Sequence, residues 1–188
     1  MALTRLKDRG INSTLDLSGK TVTYGLTDAD ISSLSTGKVL QVIQNSTTTT
    51  VSVNNSGGYV DTGLSASITP SSNSSKVLVM VYQPLIAQRN DNEADVIAST
   101  MSNHSGTYVE IVDVSEVDKF IQSYQSGTFD STITAGIYSL NALISPSTTS
   151  SFTVKTRMRF RSNYGNSGSL WAQGSGNEST MILMEIAG

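Results

Sequence analysis

Histidine occurs once in this chain, at His104, and cysteine not at all. Without cysteine there is no disulfide, no thiolate nucleophile and no cysteine-ligated metal. His104 lies in Ser102-Asn103-His104-Ser105-Gly106, a turn-forming run in which a solvated imidazole is the ordinary outcome. A serine hydrolase would pair it with a nucleophile, yet no G-x-S-x-G elbow exists, and Gly165-Asn166-Ser167-Gly168 has the wrong spacing. There is also no phosphate-binding loop, dinucleotide fingerprint or paired-histidine metal motif. Carboxylates distant in sequence remain an open route to acid–base chemistry. This inventory predicts a chain that is not an enzyme and holds no cofactor.

Binding chemistry is better represented. From Ser151 to Arg161 the residues alternate, with Phe152, Val154, Thr156, Met158 and Phe160 on one side and Lys155, Arg157, Arg159 and Arg161 on the other. Same-side neighbours in a strand stand about 6.5–7 Å apart, so four of the 12 basic residues would line one face. Such a row fits an anionic ligand such as a sugar acid or a phosphate. It lacks the interleaved aromatics of a platform for single-stranded nucleic acid. The more economical reading is a row paired with acids on neighbouring strands or subunits; Glu185, the acid in an otherwise apolar segment, is the candidate partner.

Two further groups stand out. Asp91, Glu93 and Asp95 could offer oxygens to a hard cation, but they lack the EF-hand pattern and read more simply as solvated acids on a turn. Tyr164 and Trp171 stand in a Gly/Ser/Asn-rich stretch, Ser162 to Asn177. A ring there could stack on a sugar, anchor in a partner, or plug one end of the core.

These side chains need a scaffold, and the composition points to β-structure. The 188 residues suffice for one domain of ordinary size plus an extra segment. Charged residues make up only 14%, against about 25% in typical soluble domains, and Ser, Thr, Asn and Gly take their place. The apolar residues come in blocks rich in Val, Ile and Thr, which suit a pleated surface. A net charge of −3 invites neither nucleic acid nor an anionic membrane. No run reaches the roughly 20 apolar residues of a membrane span. Met1 to Gly10 is charged and lacks the apolar stretch of a signal peptide.

Residues 1–37 carry only isolated apolar positions (Leu15, Leu17, Val22, Tyr24), as expected of an extended N-terminal arm, with Leu26 to Ile31 able to begin one short helix capped by Thr27. A polar arm frays unless it docks on its own domain or on a partner chain. From Lys38 onward, strands are predicted near Val39–Gln44, Thr48–Val53, Tyr59–Leu64, Val77–Gln83, Ala94–Thr100, Tyr108–Val112, Thr132–Leu140, Phe152–Arg161 and Thr180–Ile186. Glu116 to Gln125 is the one further stretch that could hold a helical turn. Many short strands between turn-rich breaks predict an all-β jelly roll or sandwich over residues 38–188. Val77 to Tyr82 is apolar on both alternating faces and must be covered twice. Met181 to Ile186 behaves similarly, so Val77, Val79, Val81 and Glu185 are candidate contacts with another subunit.

Several segments together resemble small virion fibre proteins of tailed bacteriophages, especially marine ones. They are Gly37-Lys38-Val39-Leu40-Gln41-Val42, Tyr59-Val60-Asp61-Thr62-Gly63-Leu64, Ile68 to Val79, and the ending Ser179 to Ile186. The leader Met1-Ala2-Leu3-Thr4 with Leu15-Asp16-Leu17-Ser18-Gly19-Lys20 is similar to theirs. The resemblance implies a component on the virion exterior with an attachment arm that meets other virion proteins and a TNF/C1q-like jelly-roll head, forming a homotrimer and touching host-surface glycan or protein. It implies no catalytic residue. The chain is short for a complete tail fibre and has no repetitive shaft, which keeps a capsid decoration protein open beside a fibre tip, and a carbohydrate-binding module as a further alternative.

Overall fold

The structure, a computed structural model, describes residues 38–54, 58–89, 93–112, 121–124, 132–161 and 168–188. All belong to the unit Gly37–Gly188. Among the described residues the strands are β1 (Val39–Thr47), β2 (Val51–Asn54), β3 (Val60–Ile68), β4 (Lys76–Arg89), β5 (Glu93–Ser102), β6 (Val109–Glu110), β7 (Ile121–Tyr124), β8 (Thr132–Ile144), β9 (Phe152–Arg161), β10 (Gly168–Ala172) and β11 (Ser179–Ile186). They form two antiparallel sheets that pack as a sandwich, so the predicted all-β class holds.

The spine of the first sheet is β4. One edge pairs with β8 from Val77↔Ile144 to Arg89↔Thr132. The other pairs first with β11, through Lys76–Tyr82, and then with β10, through Leu85–Arg89. Beyond these, β1 pairs with β11 and β2 with β10. The sheet is thus four strands wide, and its outer two tracks are interrupted. Between β10 and β11 the interruption is a left-handed turn, with Gln173 at φ 54°, Ser175 at 60° and Gly176 at 74°.

A proline inside a central strand normally removes a ladder bond. Pro84 escapes this cost because its carbonyl accepts from the Gln173 amide (3.3 Å), which places its missing N–H on the same edge, at the gap between β10 and β11. The strand therefore runs on to Arg89, past the expected end at Gln83.

In the second sheet β9 lies between β3 and β5, and β6 and β7 flank the far edge of β5. A register shift in β3 between Asp61 and Ser65 contains Gly63, whose φ of 83° suits glycine.

The inward faces of the two sheets build two apolar clusters. One centres on Leu85, Met158, Phe160 and Leu170, the other on Ile68, Val79, Phe152 and Leu183. Between them the inward positions are polar. Gln83, Thr62, Thr100, Thr156, Gln173 and Ser179 are all buried. Thr62 and Thr156 share a hydrogen bond across β3 and β9, the Tyr138 hydroxyl of β8 meets Thr100 (2.9 Å) across the sheets, and Gln173 donates to Ser179 (2.8 Å). Burial pushes the Tyr138 phenol above its ordinary pKa, so it stays a neutral partner. Each of these bonds is worth about 1 kcal/mol, but an unmatched buried group costs more, so Thr62–Thr156 and Gln173–Ser179 hold positions within each sheet and Tyr138–Thr100 ties one sheet to the other.

Several expectations need correction. Ile121–Tyr124 is a strand paired with β5, not part of a helical turn. Its helix-compatible composition is overridden by that pairing. Only Val109–Glu110 of the strand expected over Tyr108–Val112 is regular. The stretch read as one long break from Ser162 to Asn177 contains β10. The arm, with its short helix at Leu26 to Ile31, lies outside the described residues.

Gly168 sits where β10 passes over the core. A Cβ there would lie 2.6 Å from Phe160 Cε1 and 2.9 Å from the Gln88 carbonyl oxygen, whereas one on Gly58 would meet nothing within 4 Å. Gly168→Ala is therefore expected to lower unfolding stability by about 1–3 kcal/mol, and Gly58→Ala to stay within about 0.5 kcal/mol of wild type, both read by urea denaturation.

Candidate functional site

The two outer faces of the sandwich have opposite chemistry. On the second sheet, Phe152, Val154, Thr156, Met158 and Phe160 of β9 point inward and are buried, so Lys155, Arg157 and Arg159 point outward. Lys155 meets Asp61 of β3 at 2.7 Å and lies 4.2 Å above the Tyr108 ring. Arg157 meets Glu110 of β6 at 2.5 Å, donates from Nε to the Ser99 hydroxyl at 2.9 Å, and stacks 3.8 Å over Tyr59. Arg159 approaches the same ring at 5.1 Å, and its Nε is buried without an acceptor. The Lys155 pair is exposed enough to contribute only about 0–1 kcal/mol. The Arg157 cluster is more covered and is locked by three contacts.

Acids on neighbouring strands thus pair with two members of the row, but Glu185 is not among them. It lies at 0% exposure on the inward side of β11, in the first sheet. Gln41 Nε2 donates to it at 2.5 Å, and the Ser71 amide and hydroxyl each donate at 2.7 Å. Burial pushes this carboxyl up, but the bonds from Gln41 and Ser71 outweigh it and hold the pKa at about 2. Ser75 adds to the same field, although its hydroxyl meets no partner at hydrogen-bond geometry. Glu185 is a buried pin between β1, β11 and the 69–75 turn rather than an intersubunit contact.

Val77, Val79 and Val81 also belong inside. They are 0%, 0% and 4% exposed in the core between the sheets, so the opposite sheet of the same chain covers them. The other side of β4 is the one left open. Across the first sheet, register places Leu143, Leu78, Met184 and Val42 in one row, and Asn141, Met80, Ile182 and Gln44 in the next. Ile133, Ile137 and Leu143 of β8 are 66%, 48% and 54% exposed, and Val42 and Tyr82 are 52% and 48%. Trp171, paired with Ile86, extends this face and is half-buried there; it lies on a strand and not at the end of the core. Among the described residues, Lys76 at the rim is the one charged side chain on this face. Strand β8 is itself uncharged and free of proline, and its edge away from β4 carries no strand among the described residues. Nothing in its sequence signalled this, because a strand apolar on both sides does not declare which side faces the core.

The remaining candidates divide. His104 Nδ1 meets the Ser102 hydroxyl at 3.0 Å and its ring is edge-on to Phe152 at 6.0 Å. That Ser–His contact closes a local turn, and Ser102 is fully buried, out of reach of a substrate. Tyr164, Asp91 and the side chains of Arg161, Glu93 and Asp95 lie outside the described residues.

No family model matches the chain, and no curated protein sequence matches it. Among solved structures it is similar to VP2 in a subviral particle of infectious bursal disease virus, with 14% identity and a TM-score of 0.40, covering 78% of this chain and 37% of that one. The Gt strain structure of that virus gives 12% identity and a TM-score of 0.38, covering 79% and 38%. The chain spans less than two-fifths of those proteins. A likeness this loose carries no functional argument.

The Glu185 pin makes stability pH-dependent. Its folded pKa lies below the ordinary carboxylate value, so the stabilisation is complete above about pH 4.5 and is lost as pH falls through about 2. Glu185→Gln should cost about 1–3 kcal/mol at neutral pH and flatten the acid limb of melting temperature against pH. Identical acid limbs for the two proteins would contradict this assignment.

Proposed function

We propose that the chain is a structural protein of a virus particle that assembles with other copies of itself through the outer face of the first sheet, including the edge of β8 away from β4. The observation that carries this reading is a face on which exposed Val42, Tyr82, Ile133, Ile137 and Leu143 are interrupted by uncharged polar residues such as Asn141 and Gln44, with Lys76 the one charge on it among the described residues. At about 3.3 Å per residue and about 4.8 Å per strand, β4 and its three neighbouring tracks span roughly 46 by 19 Å, near 900 Å². A stable protein–protein contact uses about 800 Å² from each partner. Monomeric proteins seldom leave so large an apolar patch open, or a long uncharged edge strand unprotected.

The resemblance of the segments at 37–42, 59–64, 68–79 and 179–186 to phage fibre proteins supports a virion setting and a homotrimer. In this reading residues 1–37 attach the head to other virion proteins, Trp171 anchors in a sister copy, and the second sheet faces outward toward a host surface. A decoration protein on the capsid is a second placement that would use the same assembly face. Gold labelling of intact particles separates the two: label on the tail supports a fibre, and label over the shell supports decoration.

Light scattering on size-exclusion fractions should give a trimer for the wild-type chain. Replacing Ile137 and Leu143 by Asp should weaken self-association at least about tenfold, since each apolar side chain buried is worth about 1.5–3 kcal/mol, while β circular dichroism is kept. A stable wild-type monomer, or a trimer untouched by both substitutions, would overturn the assembly reading.

A further inference from the structure

We infer that the outer face of the second sheet binds an oligosaccharide bearing a sparse carboxylate, with Arg159 as the residue that receives it. The inference deepens the proposed function and rests on its assignment of this face as the outward one. Of the three described cations on β9, two are already matched, Lys155 by Asp61 at 2.7 Å and Arg157 by Glu110 at 2.5 Å. Arg159 is not: the residue is part-exposed, its guanidinium lies 5.1 Å from the Tyr59 ring centre, and no acid pairs with it among the described residues. An unmatched charged donor at a partly covered position is costly, and an oxyanion is the group that removes the cost. The guanidinium fork presents parallel N–H groups to the two oxygens of a carboxylate.

The surroundings narrow the ligand class. Asp61 and Glu110 offer acceptors for hydroxyl donors, and Tyr108, 41% exposed, offers a ring beside Lys155. Lys155 and Arg159 are two same-face steps apart, about 13–14 Å along the strand, a span that suits an oligosaccharide better than a single sugar. Nucleic acid or any polymer charged at every unit would meet the carboxylates of Asp61 and Glu110. What fits is a chain of hydroxyls with an occasional negative charge.

The test uses the full-length protein and titration calorimetry with three probes: a hyaluronan tetrasaccharide, in which uronates alternate with neutral sugars, the neutral chitin tetrasaccharide, and inorganic phosphate. The hyaluronan fragment should bind with Kd below about 1 mM, and the other two at least tenfold more weakly. Arg159→Gln should weaken that binding at least tenfold without shifting the melting temperature, and Arg159→Lys should restore only part of it. Asp61→Asn, by freeing Lys155, should tighten it at least twofold, which a merely structural role for the row would not produce. Absence of binding at 10 mM, equal affinity for phosphate, or an Arg159→Gln protein that binds as wild type does would overturn the inference. Light scattering on the same samples keeps the two readings apart: an intact trimer that binds nothing refutes the sugar site alone, and a monomer refutes the assembly reading.

Discussion

Side chains in a strand alternate strictly, and in β4 that constraint fixes nearly everything else. Val77, Val79, Val81, Gln83, Leu85 and Ala87 go inward together, so Leu78, Met80, Tyr82, Pro84 and Ile86 go outward together. Because β4 is hydrogen-bonded on both edges, its register is passed to β8, β10 and β11 and through them to β1 and β2. A slip of one residue would exchange core for surface across the whole sheet. The apolar outer face is therefore not an accident of single residues; it is the second half of the choice that builds the core.

The polar belt between the two core clusters has the complementary effect. Apolar packing tolerates small sliding of one sheet over the other, but the Tyr138–Thr100 contact does not, and Thr62–Thr156 holds β3 to β9 within the second sheet. Glu185 with Gln41 and Ser71 closes one end in the same way. With the interior fixed by directional bonds, the outer faces can diverge: one with a single charge at its rim among the described residues, the other a lattice of arginine, lysine, tyrosine and acid.

What the amino-acid sequence revealed depended on contrast within each strand. Phe152 to Phe160 was legible down to the facing of each side chain, because one side is apolar and the other basic or polar. Val77 to Tyr82 was legible as a strand apolar on both faces, yet its inward side was not, because Val77, Val79 and Val81 are no more apolar than Leu78 and Met80. Strand β10 was hidden because Gly168-Ser169-Leu170-Trp171-Ala172 is short and set among turn formers; pairing with β4 and β2, both distant in sequence, makes it a strand. The partners of the basic row were illegible for the same reason: Asp61 lies 94 positions before Lys155 and Glu110 lies 47 before Arg157.

The account turns on whether the open side of the first sheet and the edge of β8 away from β4 are covered in the assembled protein. Amide hydrogen exchange read by mass spectrometry on native, undissociated protein addresses this directly. The account predicts that the 132–144 peptide exchanges as slowly as the peptide spanning β4, and that it becomes fast when the assembly is diluted apart. Rapid exchange of that peptide in the native protein, with β4 still protected, would contradict it.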